Sequence, residues 1–196
     1  YLKTHAHVTD ALGQRYDSDH HFGFSVAVSG DTLVVGAPLE SGSGAGVNPP
    51  VGGVSAASGA AYVFVRSNGS WSQQAYLKAP QPGAGDQFGR AVAISGDRIL
   101  IGAPYEDSSQ SGPRGLGATF DDTMPDAGAA YVFVRTGSTW VADQVLKGIP
   151  DPDDTFGWSV AVSGETFVVG VPGEDSNATT VNGDPGNDDA ASAGAA

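Results

Sequence analysis

The sequence predicts an all-β protein made of tandem four-stranded antiparallel sheets. Three observations predict it: one motif occurs three times, each copy holds short β-branched runs joined by tight turns, and no segment of ten residues has helical periodicity. Composition agrees, because 29 Gly and 12 Pro in 196 residues, about 21%, is too high for a helical protein. With 40% hydrophobic residues the chain can still bury a core.

The repeated motif begins at Phe22, Phe88 and Phe156, so its spacing is 66 and then 68 residues. The three copies read FGFSVAVSGD, FGRAVAISGD and FGWSVAVSGE, and each runs into an apolar stretch that ends in Gly-Ala-Pro or Gly-Val-Pro. A second motif, Gly-Ala-Ala-Tyr-Val-Phe-Val-Arg, occupies residues 59–66 and 128–135. Each repeat is therefore one structural unit.

The sequence of each unit predicts four strands. In the first repeat, residues 25–29 and 33–35 are joined by Ser-Gly-Asp, a hairpin signal because Gly can take a positive φ. After a long loop rich in Gly, Ser and Pro, residues 61–66 alternate, and Ser-Asn-Gly-Ser leads into residues 71–78. Four antiparallel strands in tandem units are typical of β-propeller blades, which protect their strand edges by radial repetition.

Phe-Gly followed by Gly-Ala-Pro at this spacing resembles the FG-GAP repeat of integrin α-subunit propellers. The form Phe-Gly-x-Ser-Val-Ala-Val-Ser-Gly-Asp is similar to tandem copies in large bacterial surface proteins. The resemblance covers nearly the whole chain. It implies a non-enzymatic extracellular propeller used in adhesion or assembly, often with Ca²⁺ bound in hairpin loops.

The repeats divide the chain into four parts. We expect residues 1–21 to hold the end of a preceding blade and a long linker, residues 22–87 the first repeat, residues 88–155 the second, and residues 156–196 a truncated third. Three units leave strand edges exposed. We therefore expect the missing blades to come from flanking sequence or from a second chain.

The metal loop of the integrin type is absent from the connection between the first two strands. That loop reads Asp-x-Asp-x-Asp-Gly-x-x-Asp, whereas this chain has only Ser-Gly-Asp or Ser-Gly-Glu. One carboxylate cannot supply the six to eight oxygens that Ca²⁺ prefers. We interpret Asp31, Asp97 and Glu165 as turn residues.

Most acidic residues lie in two other classes of loop. Of 22 acids, 17 precede a Phe-Gly motif or follow a Gly-Ala-Pro or Gly-Val-Pro motif, and Ca²⁺ would suit a face on which these loops converge. The densest cluster lies in the third repeat. Its candidate Ca²⁺ ligands are Glu174, Asp175, Asn182, Asp184, Asn187, Asp188 and Asp189. A solvated acidic loop that keeps the protein soluble is the alternative interpretation.

All four histidines, His5, His7, His20 and His21, lie near the start of the chain. Imidazole and carboxylate side chains can form a transition-metal site, so this group is a second metal hypothesis. Spacing alone does not bring the two pairs together, and exposed loop histidines are usually inert.

Charge and composition exclude several functions. A net charge of −13 repels phosphate backbones and anionic lipid, so we expect no nucleic-acid partner and no membrane insertion. Zero cysteines exclude disulfides, thiolate metal sites and a cysteine nucleophile. No Gly-x-Ser-x-Gly elbow is present and no Ser/His/Asp order of a known type. We expect no enzymatic activity.

Two functional hypotheses remain. The first is a structural or adhesive module, extracellular or on a cell surface, that pairs with itself or with neighbouring repeats through open blade edges, with Ca²⁺ as the only candidate cofactor. The alternative is a ligand-binding propeller that recognises a protein or glycan through its loop faces. The two hypotheses differ in where partners bind: at blade edges or on loops.

Overall fold

The computed structural model describes residues 20–50, 53–115, 121–180, 183, 186 and 188–196, which form antiparallel sheets and contain no helix. The strands are β1 (Ser25–Ser29), β2 (Thr32–Ala37), β3 (Ala60–Ser67), β4 (Ser70–Leu77), β5 (Ala91–Ser95), β6 (Arg98–Ala103), β7 (Arg114–Gly115), β8 (Ala129–Thr136), β9 (Thr139–Leu146), β10 (Ser159–Ser163) and β11 (Thr166–Gly170). The predicted all-β class is confirmed, with strand ends shifted by one or two residues.

The strands form three units that we call blades. The first blade has the order β1-β2-β3-β4, and the second has the order β5-β6-β8-β9 with the two-residue β7 added outside β9. The third blade consists of the β10-β11 hairpin. This topology is that of propeller blades in a ring that the described residues do not close.

The turns within the blades follow the predicted chemistry. Gly30 has φ +56° in the β1-β2 turn, and Asn68 and Gly69 have φ +50° and +79° in the β3-β4 turn. Two consecutive positive φ values define the type I′ turn that suits the twist of a two-residue hairpin. Both four-stranded arrangements also carry a register shift at the same place, at Val63/Phe64 and at Val132/Phe133.

The core lies between blades. β1 packs beside β5, and β5 beside β10, so the first strands of the blades are neighbours. One buried cluster joins Val34 and Val63 of the first blade to Ile99 and Phe133 of the second. A second cluster joins the second and third blades. The first and second blades are therefore each stabilised by the next blade along the chain.

The outer strands of the two complete blades are covered by their own loops. The bridge from Val47 to Leu77 lies along β4, and β7 lies along β9. Such cover protects a sheet edge from pairing with another chain. In the third blade, β11 pairs with no described residue on its outer side, and among the described residues one β-bridge lies just past its end, from Val171 to Ala195.

Candidate functional site

The contact between consecutive blades is built from the glycine motifs. A Cβ on Gly36 would lie 1.9 Å from the carbonyl oxygen of Gly89, the glycine of the next Phe-Gly motif. A Cβ on Gly59 would lie 2.1 Å from the carbonyl oxygen of Phe88. Only glycine allows the backbones of two blades to approach this closely. The motifs that repeat in the sequence are thus the surfaces that join the blades.

Each blade presents two apolar faces, because side chains alternate along a strand. The first strand of each blade has two branched apolar residues with one alanine between them. We call the face that carries the two branched residues the leading face (Val26 and Val28; Val92 and Ile94; Val160 and Val162). We call the side of the alanine between them the trailing face (Ala27, Ala93 and Ala161). Val92 and Ile94 pack against the cluster that contains Val34 and Val63, so the leading face of the second blade covers the trailing face of the first. The third blade covers the second in the same way.

Each terminal face is exposed over part of its area. Val26 and Val28 on the leading face of the first blade are each 64% exposed. Val168 on the trailing face of the third blade is 50% exposed, whereas its counterparts Val34 and Leu100 are fully buried. The chain therefore carries, at its two ends, the two halves of an interface that it forms twice internally.

Hydrogen bonds repeat across the same interfaces. The amide of Gly96 donates to Ser29 Oγ at 3.1 Å, and the amide of Gly164 donates to Ser95 Oγ at 3.1 Å. Each hairpin turn is thus connected to the turn of the blade before it.

The acids that we interpreted as turn residues lie in these turns. Asp31 pairs with Arg66 at 2.7 Å, Asp97 with Arg135 at 2.7 Å, and Glu165 with Arg98 of the preceding blade at 3.0 Å. All three carboxylates are largely exposed, so each ion pair contributes little to stability.

A buried ion pair lies at the opposite end of each complete blade. Lys78 Nζ lies 2.7 Å from Glu40 Oε2 and donates to Ser58 Oγ at 2.8 Å. In the second blade, Lys147 pairs with Glu106 and donates to Ser108. Burial lowers the pKa of Lys78, and the nearby Glu40 carboxylate opposes that shift. Each pair joins the end of the fourth strand to the loop that follows the second.

An acidic cavity lies between the first and second blades. It has a volume of about 240 Å³, and Asp86, Glu106, Asp107 and Asp122 lie in its wall. The amide of Gly83 donates to Asp86 Oδ2 at 2.8 Å. Burial raises the pKa of Asp86 to about 7; the Gly83 hydrogen bond opposes the rise, and neighbouring carboxylates add to it.

The corresponding position between the second and third blades holds a tighter group. One carboxylate oxygen each from Asp151, Asp175 and Asp188 lies within 4.8 Å of the other two. Burial raises the pKa of Asp151, and the charge of Asp188 adds to that rise. Three converging carboxylates offer hard oxygen ligands of the kind that Ca²⁺ prefers.

The structure brings together part of the predicted ligand set. Asp175 and Asp188 converge, but Glu174 and Asp189 are not in this group: Glu174 accepts from the Ser176 amide, and Asp189 from the Asn177 side chain. Asn182, Asp184 and Asn187 lie outside the described residues.

Sequence reasoning did not name Asp151 as a ligand. Its counterpart in the loop before the second Phe-Gly motif is Gly83, so comparison of the repeats could not single it out. The signal in the sequence that could have identified Asp151 is its position in an acidic loop before a Phe-Gly motif.

The histidines give no described metal site. Where the structure describes the chain, no histidine belongs to a group of potential metal ligands. His20 is buried, and His21 stacks on Phe24 with ring centroids 6.3 Å apart. His5 and His7 lie outside the described residues.

A row of aromatic rings around one cation crosses the three blades at the start of their first strands. The Arg90 guanidinium lies 4.3 Å from the ring centroid of Trp158, 5.3 Å from that of Phe24 and 5.5 Å from that of Tyr105. Phe24 and Trp158 remain 52% and 40% exposed. Phe24 and Trp158 are the aromatic residues among the exposed large hydrophobic residues in the part of the chain that the structure describes.

These features define a repeat protein made of β-propeller blades that dock through glycine motifs. The model of the FG-GAP repeat matches residues 14–64, 71–114 and 150–196, more than half of the chain, so the chain belongs to the FG-GAP repeat family. No curated protein matches it. None of the described residues forms a helix long and apolar enough to cross a membrane.

Proposed function

We propose that this chain is a non-enzymatic structural or adhesive propeller module, extracellular or on a cell surface, that associates through its terminal blade faces. Its partners are neighbouring FG-GAP repeats, either of the same polypeptide or of a second copy. The observation that carries the proposal is the pair of exposed faces at Val26/Val28 and at Val168, which are complementary halves of the internal interface. FG-GAP repeats are typical of extracellular proteins, which supports the proposed location.

The two faces differ, so association between copies is head to tail. A heterologous contact of this kind produces a ring when the rotation closes and a filament when it does not. The glycine contacts and the Ser-to-Gly hydrogen bonds fix the relative position of successive blades inside the chain. The same groups are available at the terminal faces to orient a second copy.

The test is the mass of the 196-residue chain in solution, measured by light scattering over a range of concentrations. We expect a mass above 19.7 kDa that rises with concentration. Replacing Val26 and Val28 with Glu should reduce it to that of the monomer. Val141→Glu is the matched control, because Val141 is 48% exposed in the second blade, away from both terminal faces. A monomer at every concentration would contradict association with a second copy and leave neighbouring repeats of the same polypeptide as the partners.

We also propose that Ca²⁺ stabilises the module through Asp151, Asp175 and Asp188, whose geometry supports it. Millimolar Ca²⁺ should raise the melting temperature above that in excess chelator. Asp175→Asn together with Asp188→Asn should remove the increase, whereas Asp189→Asn should retain it, because Asp189 is not in the group. Identical melting curves with Ca²⁺ and with chelator would leave the solvated acidic loop as the interpretation.

Recognition of a protein or glycan through the loop face is a second candidate, which the row of Phe24, Arg90 and Trp158 favours. A ligand on these rings would change the fluorescence of Trp158, and Phe24→Ala should weaken binding. A screen of glycans and proteins that leaves Trp158 fluorescence unchanged would count against this candidate.

A further inference from the structure

Arg90 is a cation without a carboxylate partner among the described residues. It is partly buried at the start of the second blade, and the blades on both sides of it are described. Its guanidinium donates from Nη1 to Gln87 Oε1 at 3.0 Å. Every other lysine or arginine side chain that the structure describes pairs with a carboxylate: Arg66, Lys78, Arg98, Arg135 and Lys147. In a chain of net charge −13, Arg90 is therefore an exception.

Aromatic rings hold this guanidinium in place. Phe24 of the first blade and Trp158 of the third blade flank it, with ring centroids 5.3 and 4.3 Å from its central carbon. Tyr105 adds a third ring at 5.5 Å. Stacking on aromatic rings uses the faces of a guanidinium and leaves its in-plane N–H donors free to bind an acceptor. The Arg90 donors that Gln87 does not use are thus oriented in advance.

The three repeats differ in chemistry at this position. The residue after Phe-Gly is Phe24, Arg90 or Trp158, whereas the five-residue strand that follows has only small or branched side chains in all three copies. The strand residues pack between blades, so the core restricts their chemistry. The residue after Phe-Gly precedes the strand and is not restricted in this way. The row is therefore the place where each blade presents a different functional group.

The donors of the row indicate the class of ligand. A guanidinium binds a carboxylate through two parallel N–H···O bonds, because both groups are planar and the charges are opposite. Three further polar groups lie beside it and form no hydrogen bond with a described residue: the Gln87 amide nitrogen, the Tyr105 hydroxyl and the Trp158 indole nitrogen. These neutral groups suit hydroxyls. The arrangement therefore favours a carboxylate whose neighbouring atoms carry hydroxyl groups.

A sugar acid has this chemistry and an acidic peptide does not. A hexuronic acid carries one carboxylate on a ring with several hydroxyls, and the C–H groups of that ring can pack on the exposed parts of Phe24 and Trp158. An aspartate or glutamate side chain presents no hydroxyl beside its carboxylate. A run of acidic residues would also be repelled by the negative charge of this chain.

We infer that Arg90, flanked by Phe24 and Trp158, binds the carboxylate of a hexuronic acid unit in an acidic glycan. Gln87 and Tyr105 bind hydroxyls of the same ring. The inference rests on the second candidate function, recognition through the loop face, and deepens it by naming the class of ligand and the residue that selects it.

The probes are short oligomers of galacturonate and of mannuronate, the methyl esters of both, and the blocked tripeptide acetyl-Gly-Glu-Gly-amide. Binding to the full chain is measured by calorimetry in excess chelator, so that Ca²⁺ on the acidic loops cannot bridge the chain to a uronate. We expect at least one acidic sugar to bind with saturation. Its ester should bind about tenfold more weakly or worse, because an ester cannot accept two charge-assisted hydrogen bonds. The tripeptide should bind more weakly than the acidic sugar.

Substitution of Arg90 tests the residue itself. Arg90→Met keeps an unbranched apolar side chain between the rings, and it should weaken binding of the acidic sugar about tenfold or more while leaving binding of the ester nearly unchanged. Arg90→Lys keeps the charge without the planar fork, so its loss should be smaller. Arg66→Met is the matched control. It removes the same charge from an arginine that lies 5.6 Å from the ring centroid of Trp71, and it should bind like the wild type.

Equal binding of an acidic sugar and its ester by the wild type would overturn the inference, whether or not any variant folds, and would leave recognition through the loop face intact. Equal losses in Arg90→Met and Arg66→Met would also overturn it, because they indicate only a general effect of charge. Tighter binding of the tripeptide would assign the site to acidic protein partners instead. If no probe binds, the uronate site is refuted, whereas the Trp158 fluorescence screen with neutral glycans and proteins still decides whether the loop face binds a ligand.

Discussion

Lys78 and Glu40 form an ion pair in which the ammonium nitrogen lies 2.7 Å from a carboxylate oxygen and neither side chain is exposed to solvent. The second carboxylate oxygen of Glu40 accepts a hydrogen bond from the Gly42 amide at 2.8 Å. Lys147 and Glu106 repeat the arrangement in the second blade. Each pair connects the end of the fourth strand of the repeat to the loop that follows the second strand, so it links two strands that are not neighbours in the sheet.

Removing one partner of this pair should be costly. Lys78→Met leaves Glu40 as an uncompensated buried charge, and we expect the free energy of unfolding to fall by about 3–5 kcal/mol. Adding Glu40→Leu should recover most of that loss, because neither charge then remains to be desolvated. Urea unfolding of the two single variants and the double variant measures the coupling. If the loss in the double variant equals the sum of the losses in the two single variants, the two residues are not coupled and the prediction is wrong.

The close approach of Gly102 to the carbonyl oxygen of Gly157 makes a second prediction. A Cβ at Gly102 would lie 1.9 Å from that backbone atom, so Gly102→Ala must separate the second and third blades. We expect a loss of roughly 1–3 kcal/mol or more in the free energy of unfolding. Gly170→Ala is the matched control. Its nearest neighbour is the Ser159 hydroxyl, a side-chain atom that can move away. Equal losses in both variants would show that blade contact is not the cause.

The hydrogen bonds between turns make a third prediction. Ser95→Ala removes the acceptor for the Gly164 amide, and because this bond is exposed we expect a loss of about 0.5–1 kcal/mol. Ser163 has the same place in the third blade, but no described residue donates to it, so Ser163→Ala should be nearly neutral at concentrations where the chain is a monomer. Thermal unfolding of both variants decides the point. A larger loss of stability in Ser163→Ala than in Ser95→Ala would contradict a stabilising role for the hydrogen bonds between turns.

Asp86 should make stability depend on pH. Burial raises its pKa to about 7 from an ordinary value of 3.8, so the folded chain binds this proton more tightly than the unfolded chain does. The resulting stabilisation is fully present below pH 3.8 and is lost as the pH rises towards 7. The slope is at most about 1.4 kcal/mol per pH unit for one proton.

Asp86→Asn stays neutral and keeps an oxygen for the Gly83 amide, so it should remove this contribution. The measurement is the free energy of unfolding between pH 4.5 and 7.5 in chelator, for the wild type, Asp86→Asn and the turn variant Asp31→Asn. We expect the wild type and Asp31→Asn to share one slope and Asp86→Asn to have a shallower one. Parallel curves for all three would refute the role of Asp86.

Much of the fold was predictable because its signals are local. The turns at Gly30 and Asn68-Gly69 are specified by backbone preference, and β-branched alternation marked the strands. The two-residue strand β7 was missed, because Arg114–Gly115 has no strand-forming pattern and pairs only where β9 passes beside it. Cover of the outer strand edges by loops was missed for the same reason.

The candidate site was predictable only in part. Two of the three converging carboxylates, Asp175 and Asp188, lie in the acidic loop of the third repeat that the sequence singles out, but the third, Asp151, comes from a loop more than twenty residues earlier. Spacing along the chain carries no information about such a contact.

The amino-acid sequence by itself determined the strands, the turns, the number of repeats and the family, because each depends on a local pattern or on recurrence along the chain. Only the tertiary structure decided what the glycine motifs contact, which carboxylates converge and which faces remain exposed. These properties depend on how blades pack against one another. A motif that recurs in the sequence has a different environment at a buried blade face than at a terminal one.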